Sequence, residues 1–163
     1  MQGFLSRLLA TNAPAATLLI RAVVGIVFVG EGVQKFIYPD IVGAGRFAKI
    51  PIPNPEATAA FVGVAETVCG LLILFGLLTR IAALPLIIIM LTAIITTKIP
   101  ILLGTEWLGF SLRKVSYYGV LGFLHESRTD MAMLFSSIFL LIVGAGPWSL
   151  DAKLAWKRPI NDE

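Results

Sequence analysis

Four apolar runs, each close to the thickness of a bilayer's hydrocarbon core, follow one another along this chain at 14–36, 56–78, 81–103 and 131–147. A helix that crosses a membrane needs about 20 residues, within a range of roughly 17 to 25. Inside hydrocarbon the backbone must satisfy its own N–H and C=O groups, and runs of this length do so as helices. The expected fold is therefore all-α: an integral membrane four-helix bundle, one domain over residues 1–163, with a polar cap of two loops on one side. GLLTRIAA, the joint that begins at Gly76, is too short for anything but an antiparallel hairpin between the second and third spans. An even number of spans puts both termini on one face.

Composition agrees with a lipid solvent. Hydrophobic residues make up 57% of the chain and charged residues only 14%, against about 25% charged in an ordinary soluble domain. That excludes a cytosolic enzyme, a nucleic-acid partner and a disordered tail. The net charge of +3 is scattered between apolar runs and forms no basic patch, which suits anionic head groups better than a phosphate backbone. Cys69 is the single cysteine, so an intrachain disulfide, a CxxC pair and a cysteine zinc site are excluded, and no metal site is expected. Cys69 reads as packing. HExxH, GxSxG and nucleotide-loop motifs are absent from the sequence. The opening MQGFLSRLLATNAP carries no short apolar region ending in a cleavage site, and reads as the approach to an uncleaved first span.

Two longer connections share one side. YPDIVGAGRFAKIPIPNPEA, with four prolines and two glycines, reads as a turn-rich cap rather than a helix. Residues 104–130 mix Trp107, Phe110, Tyr117, Tyr118 and Phe123 with Arg113, Lys114, His125 and Arg128, which suits a segment lying among head groups. There His125 reads first as a solvated loop residue, with a ligand or proton role as the alternative.

Charges within the spans carry the functional signal, because each costs about 2.5–3.5 kcal/mol at mid-membrane unless it is paired, wetted or neutral. They are Arg21, Glu31, Glu66 and Lys98. At about 1.5 Å per residue, Arg21 lies roughly 10 Å in from the terminal side, Glu66 roughly 18 Å, and Glu31 and Lys98 both roughly 25 Å. One balanced network is expected, with Arg21 or Lys98 compensating Glu66. Glu31, Gln34 and Lys35 share a helix face, although Gln34 and Lys35 are near enough to the interface to snorkel. Ala59, Gly63, Glu66 and Gly70 form a small-residue stripe that turns Glu66 into the bundle, and Asp130, Met133, Ser137, Leu140 and Gly144 form a similar stripe on the fourth span. Arg80 and Asp151 meet the terminal-side boundary as a structural pair tying the central hairpin to the end of the fourth helix. Against a functional site stands the plain alternative that buried ion pairs only fix helix register.

VFVGEGVQKF on the first span, GVAETVCGLLILFGLLTRIAAL on the second and third, and RTD followed by LLIVGAGPWSLDA on the fourth resemble the DoxX family of small bacterial membrane proteins. The resemblance covers nearly the whole chain and implies a four-helix bundle in the bacterial cytoplasmic (inner) membrane. Its recurrent polar positions correspond to Glu31, Lys35, Glu66, Arg80, Arg128, Asp130 and Asp151. It also implies kinship with a thiosulfate-to-quinone oxidoreductase, with other membrane redox or sulfur-stress complexes and, distantly, with quinone-reducing thiol oxidoreductases whose cysteine pair this chain lacks.

The functional expectation is a quinone- or small-lipophile-binding subunit of a membrane redox system, with quinone as the ligand and the electrons supplied by a partner protein. Glu31, Gln34, Lys35, Glu66, Lys98, His125, Arg128 and Asp130 are its candidates for ligand binding or a proton path, and Arg21, Arg80 and Asp151 are structural. The alternatives are a non-enzymatic membrane anchor and, behind it, a small-solute transporter. The bilayer, a redox partner and further copies of the chain are the partners to consider. The compact basic tail after Asp151 favours cytoplasmic termini.

Overall fold

The computed structural model describes residues 13–156. The opening segment before Ala13, and the basic residues Lys157 and Arg158 used in the orientation argument, lie outside the described residues. The described residues are helical apart from turns, a loop at 104–119 and one isolated antiparallel bridge within it between Trp107 and Phe110. Helix α1 is Thr17–Ile37, α2 Pro39–Val42, α3 Ala44–Lys49 and α4 Pro55–Phe75. Helix α5, Thr79–Ala93, runs through a π turn, Ile94–Lys98, into α6, Ile99–Leu103. Helix α7 is Val120–Val143 and α8 Leu150–Trp156.

Three stretches are long and apolar enough to cross a membrane: Thr17–Ile37, Pro55–Phe75 and the 25-residue Thr79–Leu103. Their outward faces are covered with exposed apolar side chains such as Leu19, Ile26, Phe61, Val64, Ile88 and Leu91. The protein is thus an all-α membrane protein. The fourth long helix is placed differently from expectation, at Val120–Val143 rather than 131–147. Its first three turns hold His125, Glu126, Arg128 and Asp130, whose polarity hid a helix from hydropathy, and it ends at Gly144, whose φ of 82° suits glycine alone. The cap also departs from two loops. Pro39 starts a short helix at a position where a missing N–H costs nothing, α3 follows, and residues 50–54 and 104–119 remain as loop.

The sharpest sequence cause is the seam between α1 and α4. A Cβ on Gly25 would stand 2.8 Å from Leu74 Cβ and 2.9 Å from the Gly70 carbonyl, and one on Gly32 would stand 2.6 Å from the Gly63 carbonyl. Glycine lets the two backbones touch, and as α1 numbers rise the facing α4 numbers fall, so the helices are antiparallel. Helix α7 packs mainly on α5, α4 on α5, and α1 lightly on α7, which closes a ring of four. Val24, Phe28, Cys69, Ile73, Ala82, Ala83, Leu86, Met133 and Leu140 fill its middle.

Candidate functional site

Two sets of polar side chains occupy opposite ends of this ring. At the end near Thr17, Arg21 is 2% exposed and donates to four carbonyls: Nε to Ile73 at 2.9 Å, Nη2 to Leu74 at 2.8 Å, and Nη1 to Ala145 at 3.1 Å and Trp148 at 2.8 Å. The last carbonyls of a helix have no intrahelical donor, so the guanidinium closes the end of α4 and holds the turn after α7 beside it. Asp151, also 2% exposed, accepts from the N–H groups of Leu78 at 2.7 Å and Thr79 at 3.0 Å and so caps α5 from a distance. Arg80 donates to the Ile142 carbonyl at 3.0 Å. The central hairpin is joined to the end of α7 and the segment after it through backbone groups: Asp151 caps Leu78 and Thr79 while Arg80 reaches Ile142.

The cap-side half holds two ion pairs. Lys35 Nζ lies 2.5 Å from Glu66 Oε2, with side chains 8% and 3% exposed, and Lys98 Nζ lies 3.1 Å from Asp130 Oδ2, with side chains 7% and 22% exposed. Sequence depth anticipated other partners. Glu66 does not turn to Arg21 or Lys98, and Lys35 does not snorkel outward. The reason is helix polarity: side chains lean toward their own helix's N-terminus. Lys35, on a helix running toward the cap, leans down into the bundle, while Glu66, on a helix running away from the cap, leans up to meet it. Lys98 on the segment after α5 and Asp130 on α7 meet in the same manner.

The remaining candidates disperse. Glu31 and Gln34 are exposed, and among the described residues no side-chain bond is made by the Glu31 carboxylate, although it and Arg46 lie within electrostatic reach of Glu66. Arg46, on α3, was missed because its short helix looked like a turn. His125 is exposed, with its ring 5.9 Å from Tyr117, and Arg128 is exposed and donates to the His125 carbonyl. Neither joins the buried pairs. Arg113 pairs with Glu126 at the surface. Also unforeseen were the π turn that delivers Lys98 and, on the other side of the α1–α4 seam, an open apolar groove of about 250 Å³ lined by Val33, Phe36, Ile37, Val64, Thr67 and Val68.

The DoxX family profile matches residues 16–99, which take in α1, α4, the hairpin and both buried lysines. The chain belongs to the DoxX family. It is 48% identical over 149 residues to the Mycobacterium tuberculosis protein named "Uncharacterized membrane protein Rv3486", covering 91% of this chain and 87% of that protein. It is 30% identical over 135 residues to "Putative oxidoreductase CatD" of Bacillus subtilis, covering 83% of this chain and 84% of that one. No solved structure gives a significant match. This DoxX chain therefore shares its membrane character with the first relative, while its own geometry must speak for chemistry.

Proposed function

We propose that this DoxX protein binds a quinone, or a similarly small lipophile, as the membrane subunit of a redox system whose electrons come from a partner protein. The observation that carries this reading is the Lys35–Glu66 pair. An ion pair that only set helix register would be expected to spend its donors on the protein. Lys35 has three N–H groups, of which the Glu66 carboxylate takes one and the Glu31 carbonyl, at 3.2 Å, takes another. The third has no partner among the described residues and is the one we assign to a ligand oxygen. A quinone takes up two electrons and two protons in becoming a quinol. Glu66 and Lys35 are the groups beside which those protons would be handed over, and a chain with a single cysteine has no dithiol of its own as electron source. The oxidoreductase named among the relatives supports the same class.

The test is extraction of the protein in its native lipid, followed by a search for a quinone absorbance that borohydride bleaches. Wild type is expected to carry quinone, and the variant Lys35→Met/Glu66→Leu to fold without it. A wild-type protein that carries none and takes up no added duroquinone would leave the anchor reading in its place.

A further inference from the structure

The four long helices make two hairpins of one design. Helix α1 leads away from the end held by Arg21 and Asp151 and α4 returns to it; the segment Thr79–Leu103 leads away again and α7 returns. Each outgoing helix carries a lysine and each returning helix an acid. Lys35 and Glu66 are 31 residues apart, Lys98 and Asp130 one more. Counted from the start of its helix, Lys98 is one residue deeper than Lys35, and Asp130 one residue shallower than Glu66. The contacts close in the order this implies, α1 on α4, α4 on α5, α5 on α7 and α7 on α1. The halves are thus related by an approximate two-fold axis along the bundle, and the two ion pairs are its counterparts.

Each pair leaves donors unspent. An ammonium has three N–H groups. Among the described residues Lys35 spends two, on Glu66 and the Glu31 carbonyl, and Lys98 spends one, on Asp130 at 3.1 Å. The Lys35 and Lys98 side chains are 8% and 7% exposed, so few waters reach them to take the rest. Neighbouring helices in a bundle stand about 8–10 Å apart, so two ammonium groups at one level on opposite seams lie about one interhelix spacing apart, the reach of one ring with a hydrogen bond at each of two opposite oxygens.

We propose that Lys35 and Lys98 are the two ends of one ligand site, and that the ligand is an apolar ring with acceptor oxygens on opposite edges, as in a para-quinone, one oxygen to each ammonium. This rests on the lipophile-binding reading above and adds its stereochemistry. The two ends are not alike. Glycines clamp α1 to α4, whereas the Lys98 end is built on a π turn, a form often found at functional sites, and its acid is 22% exposed. The Lys98 end is the one that admits the ring.

The test compares duroquinone, a para-quinone whose substituted ring resists thiol addition, with isophorone, a similar methylated ring bearing one ketone. Binding to the full chain in nanodiscs is corrected for partition into protein-free nanodiscs. Duroquinone should bind at least about ten-fold more tightly, the worth of one further charge-assisted hydrogen bond. Lys35→Met and Lys98→Met should each weaken duroquinone about ten-fold, while isophorone, able to use either end, loses only about two-fold. Because Lys98→Met leaves Asp130 without its cation, Lys98→Met/Asp130→Leu is measured beside it and should show the same loss. If both Lys98 variants bind duroquinone as wild type does while Lys35→Met does not, the two-ended site is overturned and the lipophile-binding reading stands. If wild type binds neither compound, both readings fall.

Discussion

Hydroxyl groups on the helices fall into two sets: most bond back to their own helix, whereas those of Thr17, Thr79 and Ser137 are buried without a partner among the described residues. Thr67, Thr92, Thr96, Thr97 and Ser127 each donate to the carbonyl four residues earlier, the usual refuge of a hydroxyl in a lipid-exposed helix. Ser137 is fully buried and its Oγ has no partner among the described residues. A buried hydroxyl without a bond costs about 1–3 kcal/mol of desolvation, so Ser137→Ala should leave the detergent unfolding temperature unchanged or raise it; a clear drop would mean that the hydroxyl holds a water or ligand. The Lys35–Glu66 pair should respond with the opposite sign. Lys35→Met or Glu66→Gln alone strands one buried partner and should cost about 3–5 kcal/mol, whereas Lys35→Met/Glu66→Leu should recover most of it. A double variant whose loss equals the sum of the two single losses, read from denaturant unfolding, would show that the two side chains do not depend on each other.

Helix approach is set by a few glycines, and they do not all act alike. Gly25→Ala places a methyl group against Leu74 and the Gly70 carbonyl and should cost about 1–3 kcal/mol. Gly30, whose added Cβ would meet only the Gln34 amide at 3.9 Å, should accept alanine with a gain of up to about 1 kcal/mol from helix propensity. Thermal unfolding of the two variants side by side checks both signs. These elements also show what a sequence can disclose. The stripe Ala59, Gly63, Glu66, Gly70 turns inward as its spacing implied, and Met133, Ser137 and Leu140 do so on α7. Partner choice was hidden, because depth along an axis omits the lean of a side chain toward its helix N-terminus, and that lean decides that Lys35 meets Glu66. The start of α7 was hidden as well, since hydropathy registers lipid and the cap-side turns of that helix are polar. Glu31 and Gln34 shared a face with Lys35 on paper, yet only Lys35 lies over the seam.

At the scale of the molecule, the bundle is fastened at one end and polar at the other. Arg21 gathers carbonyls from α4 and from the turn after α7, Asp151 caps α5, and a Cβ on Gly146 would lie 3.2 Å from Thr17, so the start of α1 meets the turn between α7 and α8 on one face. A chain ending after Pro147 lacks Asp151, so it should still insert but become much more sensitive to protease at the Gly76–Leu78 turn; limited proteolysis in nanodiscs, with full-length protein as control, checks this, and equal resistance would deny the cap its role. Asp151 has a further consequence through the order of synthesis. A ribosome makes α1, α4 and the central hairpin well before it reaches residue 151, so for most of translation the Leu78 and Thr79 amides wait without their acceptor and Arg21 waits for half of its carbonyls. The α1–α4 seam can close before then, but this end of the bundle is fastened last, as a clasp is.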